Sequence, residues 1–190
     1  MEYSLAMINY ENELNKLFSG EPQEYVTADK FNIVLSEGFP ESDLNFFKNC
    51  KCDGINDYIW FVSPFEPSWN DMVDEIKASY LFVKEGFEHD IIMQNHYIPE
   101  CNEGYPFEFY PGEKCILPWA QCDNGTVFYW RIENGKWSIL VYGESDTFYE
   151  YDMTIYEILY KLVNGEIDDM SQYLPDNLFE NGMICCYFSS

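Results

Sequence analysis

Apolar and polar residues alternate in two mirror-related runs on either side of Asn134-Gly135. Asn-Gly supplies the two positive-φ positions of a type I′ turn, so a two-residue hairpin loop is expected there. That register sets Ile132 opposite Trp137, Trp130 opposite Ile139 and Phe128 opposite Val141, all apolar and all on one face. The other face receives Glu133 opposite Lys136, Arg131 opposite Ser138, Tyr129 opposite Leu140 and Val127 opposite Tyr142. A one-residue slip scrambles this sorting, so the register is well specified. A second pair, Asn124-Gly125, reads the same way and sets Trp119 opposite Trp130. The stretch 114–142 therefore predicts a three-stranded antiparallel meander with one apolar face in need of a cover.

The flanks change period. Leu14, Leu17 and Phe18 recur at helical spacing over 10–18, and Gly20-Glu21-Pro22 ends the run. Residues 29–37, with Phe31, Val34 and Leu35, predict a second helix stopped by Gly38; 44–49, with Leu44, Phe46 and Phe47, predict a short third. Residues 51–57 read as a polar loop and 58–62 as a compact strand closed by Pro64. The longest helix is expected over 71–87, capped by Ser68 or Asn70, with Met72, Ile76, Tyr80, Leu81, Val83 and Phe87 as a broad apolar stripe. Residues 88–113 are the least regular: 91–93 are strand-like and 106–111 form an aromatic loop. A further strand over 147–151 leads to a helix over 155–163, capped by Asp152 or Thr154, with Gly165 as its C′ residue. The tail from 168 is acidic and then apolar, and is expected to dock back on the body. These elements predict an α+β domain in two layers, a twisted antiparallel sheet whose central meander is covered by amphipathic helices.

Composition narrows the function classes. At 190 residues the chain is long enough for a substantial core, and an apolar content of 47% excludes disorder. Thirty-four acidic against ten basic residues give a formal net charge of −24, which repels nucleic acid and anionic membrane. A basic protein partner is the natural complement, although an acidic surface also serves solubility alone. No basic n-region precedes an apolar run, and no apolar stretch approaches a membrane span, so a cytoplasmic setting is expected. Seven cysteines are then expected as free thiols. Zinc binding is the sharper alternative for Cys50-x-Cys52, but no second cysteine pair stands at ligand spacing and His89 and His96 are isolated. No cofactor or metal is expected.

Catalytic patterns are absent from the sequence. Neither histidine lies in a nucleophile–base context, and there is no phosphate-cradling glycine loop. Carboxylates beside aromatics at 103–108 and 148–152 imitate a glycosidase cleft, but 34 acids make such neighbours common. Trp119 and Trp130 read either as core or as stacking platforms for a ligand.

The run Ile116-Leu117-Pro118-Trp119-Ala120-Gln121-Cys122-Asp123-Asn124-Gly125, followed by Val127-Phe128-Tyr129-Trp130, resembles the signature of the SUKH superfamily. That group includes fungal Smi/Knr regulators of cell-wall synthesis and many bacterial immunity proteins. Its pattern is Leu-Pro-Trp-Gly, a short spacer, Asp-Asn-Gly, then an aromatic strand ending in Trp. Gly54 to Asp57 through Trp60, Ser63, Pro64 and Phe65 is similar to its earlier strand, Trp137 to Tyr142 to the next one. Tyr151 to Thr154 with Asp152, Glu157, Leu159 and Gly165-Glu166 is similar to its closing helix. Ala120 departs from the usual glycine. The similarity spans roughly residues 28–168 of a single domain over 1–190, with a helical extension before it and an acidic tail after it.

The resemblance implies a Smi/Knr-like α+β fold and a non-enzymatic, protein-binding role. In bacterial members this is the neutralisation of a cognate polymorphic toxin, often a nuclease, by direct contact. A basic toxin domain is then the expected partner, and Glu144, Asp146, Glu150, Glu166, Asp168 and Asp169 are the candidate contacts. The alternative is a regulatory or scaffold protein that takes a peptide or small ligand in an aromatic groove.

Overall fold

Asn134 and Gly135 have φ of 52° and 75°, both left-handed, and the hairpin they close follows the expected register pair by pair from Val127↔Tyr142 to Glu133↔Lys136. The coordinates are a computed structural model, described for residues 9–18, 26–50, 52–86, 107–143, 147–167, 174–175, 177–180 and 185–186. Among the described residues five helices, α1 (Tyr10–Asn15), α2 (Ala28–Ser36), α3 (Glu41–Asn49), α4 (Trp69–Gly86) and α5 (Ile155–Val163), accompany eight strands. The strands are β1 (Gly54–Ile55), β2 (Ile59–Phe61), β3 (Glu108–Phe109), β4 (Lys114–Cys122), β5 (Val127–Glu133), β6 (Lys136–Gly143), β7 (Thr147–Tyr151) and β8 (Cys185–Cys186). They form one sheet in the order β7-β6-β5-β4-β2-β1-β8, each neighbour antiparallel; β3 pairs parallel with the first half of β4. The architecture is α+β.

The helix ends follow local chemistry. Thr27 and Thr154 cap α2 and α5 by accepting from Lys30 N and Glu157 N, and Asn9 accepts from Asn12 N at α1. At the far end of α5, Gly165 (φ 66°) donates to Leu162 O and Glu166 to Lys161 O, the paired bonds of a Schellman motif.

Three expectations need correction. First, Asn124-Gly125 does not form a two-residue loop. Only Gly125 has a positive φ (86°), Gly125 N donates to Cys122 O and Cys122 N to Thr126 O, so the loop holds three residues. A bulge between Pro118 and Ala120 shifts the register again. Pro118 has no N–H to give the ladder, and an irregularity is tolerated beside it. Leu117, not Trp119, therefore faces Trp130. Trp119 keeps the predicted face, because a bulge sets two successive residues opposite one; its ring lies 5.1 Å from Phe128.

Second, the sheet is covered on both faces rather than one. Leu117, Phe128, Trp130, Ile139 and Val141 pack under Leu14, Phe31, Leu44, Phe46, Phe47 and the apolar stripe of α5. Ile116, Tyr129, Leu140 and Phe148 pack instead under Ile76 and Tyr80 of α4, with Phe107. The polar pairs of that second face, Glu133–Lys136 and Arg131–Ser138, occupy only the end near the hairpin tip. Further along, it is apolar enough to need its own cover.

Third, the loop expected at 51–57 contains β1. Gly54 permits it, since a Cβ there would meet Ile59 O at 2.5 Å. The tail docks as expected at β8, where Gly54 pairs with Cys186 and Ile55 with Cys185. The strand-like stretch 91–93 lies outside the described residues.

Candidate functional site

Most signature residues are structural. Trp60 Nε1 donates to Asp123 Oδ1 at 2.7 Å, joining the β2 strand to the three-residue loop, and Asn124 Oδ1 accepts from Thr126 N. Phe65, after Pro64, stacks on Phe31 at 6.0 Å. Trp119 and Trp130 are fully buried. Asp123, Gly125 and Asp152 are exposed, Trp60, Pro64, Asn124 and Trp137 are half-buried, and Asp152 holds Lys136 at 3.0 Å.

The sheet end near Asn134-Gly135 carries the site. Phe39, buried between α2 and α3, touches Tyr110 (6.2 Å), Trp130 (5.6 Å) and Trp137 (5.2 Å). It is the common floor of an aromatic cluster whose outer members, Tyr110 and Trp137, are half-buried. Between them opens a cleft of about 600 Å³, lined also by Glu37, Gly38, Glu113, Ile132 and Asn134. The loop bearing Tyr110 is fixed at both ends: Tyr110 N donates to Ile116 O, and Asn134 N to Glu113 O. Its Tyr110–Pro111 peptide bond is cis. Glu37 and Glu113 are exposed, and among the described residues neither has an ion-pair partner.

On the other side of Trp137 lies a second hollow of about 280 Å³, lined by Asp43, Trp130, Asp152, Thr154 and Glu157. Asp43 is 3% exposed; its carboxylate accepts from Trp130 Nε1 at 2.8 Å and from Ile155 N at 3.1 Å. Burial pushes its pKa above the ordinary value, against the opposing pull of those two donors. The carboxylate answers the positive end of α5 and pins α3 to β5, which is a structural role. The outer acids of this hollow already hold lysines, Asp152 with Lys136 and Glu157 with Lys161 at 3.3 Å.

Of the six acids expected to meet a partner, Glu150 and Glu166 lie among the described residues. Glu150 is committed inward, its carboxylate accepting from Arg131 and from Ser138 Oγ. Glu166 is exposed just past α5. Residues 144, 146, 168 and 169 lie outside the described residues. Glu37 and Glu113 were missed because nothing in their own neighbourhood distinguishes them from other surface acids; only the fold sets them around two aromatic rings. The aromatic loop at 106–111 was the available signal, and Tyr110 belongs to it.

Among the described residues the thiols offer no nucleophile. Cys50, Cys52, Cys115, Cys122 and Cys186 are free and buried, with Cys50 and Cys52 sulfurs 3.7 Å apart. Burial raises Cys122 and Cys115 and pushes Cys186 up to about 11, so these thiols stay protonated near neutrality. Among the described residues no three His, Cys, Asp or Glu side chains gather as metal ligands. What the cleft can do chemically is bind: two aromatic side chains and two carboxylates without an ion-pair partner among the described residues suit a cation presented on a chain. Compared with models of known protein families, with characterised proteins and with solved structures, the chain finds no match in any of the three.

Proposed function

We propose that this chain is a non-enzymatic binding domain that neutralises a basic protein partner, a toxin of the polymorphic kind, by direct contact in the cytoplasm. The observation that carries this is the cleft between Tyr110 and Trp137, edged by Glu37 and Glu113 and lined by no cation among the described residues. The rest of the molecule sharpens the contrast. Lys16, Lys114, Arg131, Lys136 and Lys161 are engaged with carboxylates, and Lys48 and Lys77 lie over Phe31 and Phe109. Seven of the ten basic residues are thus engaged, and the formal net charge with all ten counted is still −24. Nuclease clefts hold phosphate with Lys and Arg, so an acidic surface of this kind competes for the same groups. The resemblance to immunity proteins points the same way, and the free thiols suit a reducing compartment.

The test is to express the toxin domain encoded beside this chain and measure association against ionic strength. Steered association at up to about 10⁸ M⁻¹s⁻¹ at low salt, slowing as salt rises, is expected. If no neighbouring toxin binds, and a peptide or small ligand fills the cleft, the regulatory reading replaces this one.

A further inference from the structure

The cleft has features that go beyond generic acidity. Tyr110 and Trp137 each rest on Phe39 without pairing with each other, and both rings line the cleft. The helix α2 ends at this cleft, with Glu37 as its C-cap and Gly38 (φ 95°) following. A helix C-terminus carries partial negative charge and favours a cation, yet the last turn of α2 holds no basic residue. The lysines nearest in sequence, Lys114 and Lys136, are drawn to Glu133 and Asp152. Three sources of negative potential (Glu37, Glu113 and the end of α2) thus meet two aromatic side chains, with no cation resident among the described residues.

We propose that this cleft is the anchor for one arginine side chain on a loop of the partner, which deepens the inhibitor reading and rests on it. Arginine fits better than lysine for stated reasons. The guanidinium is planar, stacks on aromatic faces, is more weakly hydrated than an ammonium, and presents a fork of N–H donors to carboxylates on either side. A lysine ammonium is a strongly hydrated point charge and gains little from a flat ring wall. The volume of about 600 Å³ also leaves room for the backbone that carries the side chain.

The probe is N-acetyl-arginine amide, titrated into the full chain and followed by backbone amide shifts in NMR and by tryptophan fluorescence. N-acetyl-lysine amide and the uncharged isostere N-acetyl-citrulline amide serve as comparisons. Saturable shifts at Gly38, Gly112 and Gly135 are expected for the arginine compound at millimolar concentrations. The citrulline compound should bind about tenfold more weakly, the effect of losing one charge-assisted contact, and lysine should fall between. The double variant Glu37→Gln, Glu113→Gln, both exposed and so harmless to folding, should weaken arginine binding several-fold. Equal binding of arginine and citrulline overturns the proposal, as does an undisturbed cleft at tens of millimolar or an indifferent double variant. A basic partner that binds the double variant as well as wild type removes the arginine anchor and leaves the inhibitor reading standing. Arginine selectivity without any toxin partner does the reverse.

Discussion

Trp130 donates its indole N–H to the Asp43 carboxylate at 2.8 Å, and the other oxygen of that carboxylate accepts from Ile155 N at 3.1 Å. One buried acid therefore holds the central strand β5, the helix α3 and the start of α5 in register. The aromatic floor on which Tyr110 and Trp137 stand is built on the same contact, because Trp130 touches both Phe39 and Trp137.

The first prediction concerns that acid and pH. Burial raises the folded-state pKa of Asp43 above 3.8, so the folded protein binds this proton more tightly than the unfolded chain. The stabilising effect of the proton is complete below the unfolded value and is lost as pH rises through the raised folded value. Asp43→Asn removes this dependence. In thermal melts from acid to neutral pH, the advantage of wild type over the variant should shrink as pH rises. An advantage that grows instead would show that the donors from Trp130 and Ile155 outweigh burial.

The indole itself separates core from surface. Trp130 is fully buried, so Trp130→Ala should cost about 3–5 kcal/mol as a cavity mutation. Trp60 is partly exposed, and Trp60→Phe, which removes the bond to Asp123, should cost about 0.5–1.5 kcal/mol. Denaturant melts of the two variants check the contrast. Similar midpoints would contradict the assignment of Trp130 to the covered face.

Two glycines are required for different reasons. Gly135 needs its φ of 75° but has open space around it, so Gly135→Ala should cost about 1 kcal/mol. Gly54 lacks a positive φ, yet a Cβ there would meet the Ile59 carbonyl at 2.5 Å and the Trp60 ring at 2.8 Å. Gly54→Ala should therefore be the more damaging change, because β1 must move away from β2. A urea midpoint for Gly54→Ala equal to that of Gly135→Ala would refute this.

The fold was legible where one local signal sufficed. Asn134-Gly135 carried both positive-φ positions, and the apolar pairs on either side admitted one register. The neighbouring Asn124-Gly125 looked the same in sequence. Its three-residue loop depends on contacts further away, the Asp123 bond to Trp60 and the bulge after Pro118. The second covered face was missed because Arg131, Glu133, Lys136 and Ser138 made it look solvated, although only its tip is polar. The site was less legible still. Its walls come from α2, the loop after β3 and the β5–β6 hairpin, which are distant in sequence and meet over Phe39. Charge counting suggests a basic partner but names no place for it, and Glu150, a natural choice by sequence, is drawn inward by Arg131.

The central claim is that a basic partner docks at the acidic, aromatic end of the sheet. It is tested most directly by the association rate of any toxin domain found encoded beside this chain with wild type and with the Glu37→Gln, Glu113→Gln double variant, across a range of ionic strength. The account predicts a wild-type rate that falls steeply with salt, and a double variant that associates more slowly, dissociates faster and shows a shallower salt dependence. A rate that neither salt nor the double variant alters would contradict it.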